Sequence, residues 1–402
     1  MPIRHYSVEQ SRTLLDRSNS LLVRGCQVHK RNPDMMALDY PIFAERAAGA
    51  LFWDVDGNEY LDYLMGFGPI LLGYNDPVVN AAVRAQLEEG TIYSIAHPKE
   101  LDVAEMLIDL IPAVEMVGLL LGGSAATSAA VRMARAYTGR DKVIRCGYHG
   151  WHDWSRSEDE GAPAAIGPLT IEVPYGDLDA MEDIFKNNDS EVACVIMETV
   201  QGGGPPEGFL QGCVDVAHQY GALCIFDEVK VGFRVAFGGA GEHYGVTPDL
   251  TTFAKACFNG FPGSIVGGRK EILDSPQCQS SWFVATFNCD LPSLVSIETV
   301  VNEVKRRDGI TYQWMIGNRL IEGVNEACDE GGLGFRLTGP GPMPTPVIEE
   351  EEKARCIAML QGCLARGHYL HPVHPWFLSL SHTEQDIEDT IVAVQESIAD
   401  LD

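Results

Sequence analysis

Two short apolar runs, Ala222 to Phe226 and Leu250 to Ala254, each stop at an ionisable side chain, Asp227 and Lys255. A run of this length bounded by glycine, here Gly221, suits a strand of a parallel sheet that is buried on both faces. Ligands of open α/β sheets bind along the edge formed by the strands' carboxyl ends. Such a fold delivers the acid and the amine to one crevice. Alone, each residue would mean little, because strand-end aspartates commonly close turns and lysines commonly face water.

Together they suit pyridoxal phosphate, which needs a lysine amine for its Schiff base and an acid to keep its ring nitrogen protonated as an electron sink. The surrounding residues read D-E-V-K-V-G-F-R from Asp227 and P-D-L-T-T-F-A-K-A-C-F-N-G-F-P from Pro248. In these motifs the chain resembles the class III (ω-type) aminotransferases, especially the branch containing glutamate-1-semialdehyde aminomutase. The resemblance implies that Asp227 partners the pyridine nitrogen, Val229 packs on the ring and Lys255 carries the Schiff base. It also implies fold type I of the pyridoxal-phosphate-dependent transferases. That is an α/β large domain with a mostly parallel seven-stranded sheet, plus a small α+β domain. The corresponding divisions are 1–62 and 294–402 for the small domain and 63–293 for the cofactor-binding domain.

Other stretches extend the likeness over nearly the whole chain. After the apolar Val117 to Leu121 comes G-G-S-A-A-T, small residues opening an alanine-rich helix. Glycines let backbone approach a ligand, and a helix amino end offers N–H groups and a positive dipole to phosphate. Gly123 and Ser124 match the family's S-G-[ST]-E-A, while Gly122 replaces serine and Ala125 replaces glutamate; this stretch, Ala125 included, is expected to bind the cofactor. Tyr148, His149 and Gly150 match the Y-H-G that supplies a stacking ring there, and an aromatic lid suits a planar pyridine. Glu198 ends another apolar run, Val192 to Met197, at the family's E-P-V, with Thr199 in place of proline. It is expected to support the cofactor's phenolic oxygen or the Asp227 region. Lys230 stands where related enzymes often have a glutamine that contacts the cofactor oxygen; here it places a surplus charge near the site or points outward. Thr286 aligns with a threonine that binds the phosphate of the partner subunit's cofactor, which implies a homodimer; the neighbouring Asn288, Cys289 and Asp290 depart from the pattern. Phe67 stands where the aminomutase branch usually has tryptophan.

Local patterns fill in the frame. Residues 5 to 22 carry apolar positions at helical spacing, beginning with Tyr6, and D-G-N within Arg46 to Tyr63 signals a β-hairpin. Helices are predicted over Pro77 to Glu89, Glu100 to Leu110 and Leu294 to Arg307, the last with Gly309 as its stop signal. Thr383 opens a final helix with Asp386 three residues on. Length, 402 residues, allows a complete two-domain enzyme.

Composition narrows the partners. Lys and Arg total 29 against 57 Asp and Glu, a formal charge of -28, which argues against nucleic acid and anionic membranes. No run of about 18 apolar residues exists and the first ten residues lack an apolar signal-peptide core, so a cytoplasmic protein is expected. The 11 cysteines are scattered without a C-x-x-C pair and read as reduced, mostly buried thiols. His149 with His152, and His371 with His374, lack acid or cysteine companions at metal spacing, so no metal is expected.

The expected reaction is transfer of an amino group from an amino acid donor to a carbonyl acceptor, with Lys255 as the proton carrier. A substrate carboxylate would want an arginine, and Arg234 and Arg336 are the candidates. Phe67, Asp290, the E-D-E-G at Glu158 and the acidic balance point to a polar, cationic acceptor such as an oxidised aminosugar, the kind of intermediate found in aminoglycoside-type secondary metabolism. The alternatives are intramolecular transfer of the glutamate-1-semialdehyde 2,1-aminomutase type, an epimerase on the same scaffold, and a cofactor-free binding protein.

Overall fold

The computed structural model describes residues 7–26, 43–281, 283–288 and 290–401. The chain forms two compact units, Val78–Arg306 and a second assembled from Met1–Pro77 with Arg307–Asp402. The larger unit holds a seven-stranded sheet. Its strands in chain order are β1 (Met116–Leu120), β2 (Lys142–Cys146), β3 (Thr170–Glu172), β4 (Val192–Glu198), β5 (Leu223–Asp227), β6 (Leu250–Ala254) and β7 (Ser264–Gly268). Their spatial order is β1-β7-β6-β5-β4-β2-β3. The five strands from β6 to β3 pair in parallel, and β7 runs antiparallel to both neighbours.

The sequence explains the burial. Every residue of β5, β6 and β7 is buried, as a strand covered on both faces requires. Helix α1 (Gly123–Thr138) crosses one face, placing Ala126, Ala129, Ala130 and Ala134 against a cluster that includes Val143, Ile196, Ile225 and Val266. Alanines let that helix lie close to the sheet, and full burial of each valine or isoleucine stabilises by roughly 1.5–3 kcal/mol. Helix α2 (Phe209–Gln219) connects β4 to β5 and makes the parallel crossover that the β-α-β rhythm predicts.

Register then aligns the chemistry. Glu198 pairs with Asp227 across β4 and β5, and Asp227 pairs with Thr252 across β5 and β6. Glu198 and Asp227, the last residues of β4 and β5, therefore stand side by side with Thr252 of β6 next to Asp227, and Lys255 lies one residue beyond β6.

The smaller unit carries the predicted hairpin, Leu51–Asp54 antiparallel to Glu59–Asp62, in a four-stranded sheet completed by Ala44–Ala48 and His368–Tyr369. Its core gathers Tyr60, Phe335, Trp376 and Leu320, all essentially inaccessible to water. The leading helix spans Glu9–Leu21; Tyr6 lies outside the described residues. The final helix, Glu384–Ala399, opens on the predicted capping box, Thr383 Oγ1 accepting from the Asp386 N–H at 3.1 Å and the Asp386 carboxylate accepting from the Thr383 N–H at 2.7 Å.

Two boundaries differ from the sequence reading. Contacts divide the chain at 77/78 and 306/307, not at 62/63 and 293/294. Helix α3 (Leu291–Arg306) stays with the larger unit because it packs on the turn after Lys255 and on the helix Pro98–Leu110, to which Glu298 is tied by Lys99 at 3.0 Å. Gly309 is no stop signal either: the turn is made by Asp308, at φ +47°, and Gly309 begins the next helix, Gly309–Glu330.

Candidate active site

A cavity of about 210 Å³ opens at the carboxyl edge of β4, β5 and β6. Gly123 and Ser124 reach it from α1, Tyr148 and His149 from the loop after β2, Glu198 from β4, Asp227 from the end of β5, Val229 from the turn that follows, and Lys255 from the turn after β6. Thr127, Gly150 and Lys230 complete its wall. Ala125 does not line it, since one residue of helical rotation turns its side chain from Ser124's direction. Nor does Thr286, which is exposed outside this chain's cavity.

Asp227 is fixed from three sides. One carboxylate oxygen accepts the Val229 N–H at 3.1 Å and the Thr252 hydroxyl at 3.2 Å; the other lies 2.7 Å from Nδ1 of His149. Asp227 and His149 are 5% and 2% exposed, so their polar atoms depend on these partners. The Nε2 of His149 has no hydrogen-bond partner among the described residues, and its ring stacks on Trp154. In the tautomer that carries its proton on Nδ1, the imidazole donates to the Asp227 carboxylate.

Lys255 leaves β6 in the left-handed region, φ +53°, and enters a short 3₁₀ turn whose Ala256, Cys257 and Phe258 are buried. A non-glycine residue there stores backbone strain of about 1–3 kcal/mol, which the packed turn holds in place. Burial, then the nearby charge of Lys230, lower the Lys255 amine to about 8, against the opposing pull of Asp227 and Glu198. A substantial neutral fraction exists near neutrality, as a nucleophilic amine requires.

Glu198 accepts the Tyr148 N–H at 3.1 Å on one oxygen and the Lys230 ammonium at 2.8 Å on the other. Burial alone would raise its pKa, but the Lys230 charge and the two hydrogen bonds outweigh it, and the carboxyl is held below its usual range. The Lys230 side chain therefore turns into the site. Beneath it, Glu228 is buried and accepts the Ala240 and Gly241 N–H groups at 3.1 and 3.0 Å and the Thr199 hydroxyl at 2.9 Å. Burial raises its pKa to about 7 despite those donors. Thr199, which departs from the family's proline, thus contributes one of the hydrogen bonds that hold this acid.

The cavity suits a phosphorylated, planar ligand. Helix α1 opens on Gly122 with no capping side chain, so its first turn is available to an anion. The approach is close: a Cβ on Gly123 would stand 2.9 Å from Cγ1 of Val229, and one on Gly150, at φ +100°, 2.2 Å from Oγ of Ser124. Tyr148 and Val229 supply an aromatic and an aliphatic wall, and Tyr148 is 60% exposed. A larger depression, about 620 Å³, lies farther along α1 beside Arg132, Arg135 and Trp151, but no lysine among the described residues lines it.

Several residues that sequence reasoning linked to substrate lie outside the cavity's lining. Arg234 is fully buried and does not line the cavity; burial lowers its pKa to about 9. Arg336 is exposed in the smaller unit and pairs with Asp329. Glu158 pairs with Arg145 at 3.0 Å and Arg156 at 3.4 Å, and Asp290 caps α3 by accepting the Ser293 N–H at 3.1 Å. Phe67 packs edge-on against His374 within the smaller unit, ring centroids 5.1 Å apart. His152 bonds Oγ of Ser128 at 2.6 Å. Cys289 lies outside the described residues. Thr127, missed in the sequence, stands one helical turn past Ser124, a spacing that could have found it.

Known proteins resemble this chain in sequence and in fold. The sequence profile described as aminotransferase class-III matches residues 34–374. A glutamate-1-semialdehyde 2,1-aminomutase 2 of Exiguobacterium sp. (strain ATCC BAA-1283 / AT1b) is 34% identical over 394 residues, covering 90% of each chain. A 3-aminobutyryl-CoA aminotransferase of Cloacimonas acidaminovorans is 31% identical over 404 residues, covering 98% of this chain and 97% of its own. Among solved structures, the pyridoxal phosphate internal aldimine form of the Sphingopyxis sp. MTA144 FumI protein superposes with a TM-score of 0.92 at 26% identity, covering 97% of this chain and 96% of that one. An ω-transaminase from Sphaerobacter thermophilus gives 0.88 at 26% identity, covering 97% of both.

Proposed function

The chain belongs to the class III aminotransferases, enzymes dependent on pyridoxal phosphate, and we propose that it moves an amino group from an amino acid donor to a carbonyl acceptor using Lys255 and Asp227. The observation that carries this reading is the meeting of a depressed amine and a triply fixed carboxylate in one cavity. When bound, the cofactor supplies an amine-capturing aldehyde and a protonated ring that withdraws electrons from the reacting carbon.

Around that group each residue has a task. Asp227 would hold the proton on the ring nitrogen, and His149, Val229 and Thr252 keep its carboxylate oriented. The first turn of α1, with Gly123 and Ser124, receives the phosphate. Tyr148 and Val229, which line the cavity, would cover the ring. The Lys255 Nζ, when not bonded to that group, would take a proton from the donor's amine-bearing carbon as general base and return it as general acid. Glu198, held ionised by Lys230, supports the phenolic side of the ring.

Acceptors that do without an arginine clamp fit this cavity best, because its wall contains no guanidinium among the described residues. An oxidised aminosugar is one such acceptor, favoured further by the formal charge of -28. The test is a panel of ketoses, aminosugar aldehydes and simple keto acids offered to the amine-loaded enzyme. Turnover confined to the keto acids removes the aminosugar reading. The aminomutase relatives motivate a second reading, exchange of amine and carbonyl within one molecule. It predicts turnover without a separate donor.

We also propose a cytoplasmic homodimer. Thr286 is exposed on its own chain and so available to meet the phosphate of a cofactor bound by the partner. Nine of the ten described cysteines are buried free thiols, in keeping with a reducing compartment.

A further inference from the structure

Lys230 has chemistry beyond its bond to Glu198. Its ammonium carries three N–H donors, of which one meets Oε1 of Glu198 at 2.8 Å. The other two have no protein acceptor among the described residues, while the side chain lines the cavity beside Lys255 and Asp227. Both members of the pair are 17% exposed, so the ammonium is pinned yet reachable by a ligand.

An amino acid donor brings a carboxylate next to the amine it gives up. Inside a cavity whose wall already contains Asp227 and Glu198, that third carboxylate needs a cation. Arg234 is sealed in the interior, Lys255 is committed to the amine, and His149 is committed to Asp227. Resting on the transamination reading, we propose that Lys230 is the specificity-determining residue for the amino donor, giving its remaining N–H groups to the donor's carboxylate. Glu198 serves this recognition by fixing the ammonium beforehand, which reduces the side-chain freedom lost on binding.

Two small probes separate recognition of the carboxylate from every other function of the site. Aminooxyacetate and O-methylhydroxylamine both react with the cofactor aldehyde, and only the first carries a carboxylate. Their affinities for the reconstituted holoenzyme are read from the change in cofactor absorbance. The wild type should favour aminooxyacetate, and K230Q should reduce that preference at least about tenfold, the worth of one charge-assisted hydrogen bond. K230R should restore most of it. Because K230Q leaves Glu198 buried without its cation, the double variant E198Q/K230Q is measured alongside, and it should lose the preference as well. A preference that survives in both variants overturns the proposal. So does a fall in affinity equal for the two probes, which would place Lys230 on the cofactor or in the fold. A wild-type holoenzyme that reacts with neither probe overturns the transamination reading and this inference together.

Discussion

Lys255 is a lysine whose ordinary charge the interior opposes. Its amine titrates at about 8 instead of the usual 10.5, burial being the first cause and Lys230 the second. Attack on the cofactor aldehyde requires the neutral amine, so the rate at which cofactor-free protein takes up pyridoxal phosphate should rise with pH and level off above about 8. A rise that continues to pH 10 would contradict this. Glu228 behaves oppositely: folding raises its pKa from 4.5 to about 7. Between those values the native state binds more protons than the unfolded chain, so this residue makes stability fall as pH rises through that window. Urea unfolding of E228Q across pH 4.5 to 7 should show a flatter dependence than the wild type. Neither environment is visible in the sequence, because the Thr199 and Gly241 contacts to Glu228 span 29 and 13 residues of chain.

At the scale of elements, the glycine loops set how near a ligand can come. Alanine at Gly150 would occupy a left-handed position and press on Oγ of Ser124. G150A should therefore lose at least about tenfold in cofactor affinity, roughly 1.4 kcal/mol, in an equilibrium titration. The capping box at Thr383 lies outside the site. T383A should cost about 1 kcal/mol of stability in urea melts and leave cofactor absorbance unchanged. Elements of this kind were legible from residues alone: apolar runs marked β4, β5 and β6, D-G-N marked the hairpin, and Thr383 with Asp386 marked the last helix. Asp290 was not, since an exception to a family motif gives no sign that it has become a helix cap. Gly309 misled for a related reason: glycine after a helical pattern reads as a stop, whereas here Asp308 takes the left-handed turn.

On the whole-molecule scale, the sheet brings distant stretches of sequence to one edge, and that much followed from the spacing of strands and charged ends. The pairing of Lys230 with Glu198 did not, because periodicity gives a side chain's face but not its partner across 32 residues. Assembly is the remaining level. Light scattering should give twice the 43.9 kDa mass of one chain, and T286V should weaken phosphate retention without changing that mass. A monomeric mass would contradict the proposed role of Thr286. Over all of these levels, the account depends on Lys255 bonding covalently to the cofactor. Borohydride reduction of the reconstituted enzyme, followed by peptide mass mapping, should find the pyridoxyl group on Lys255; an unmodified Lys255, or the label on another lysine such as Lys230, would contradict it.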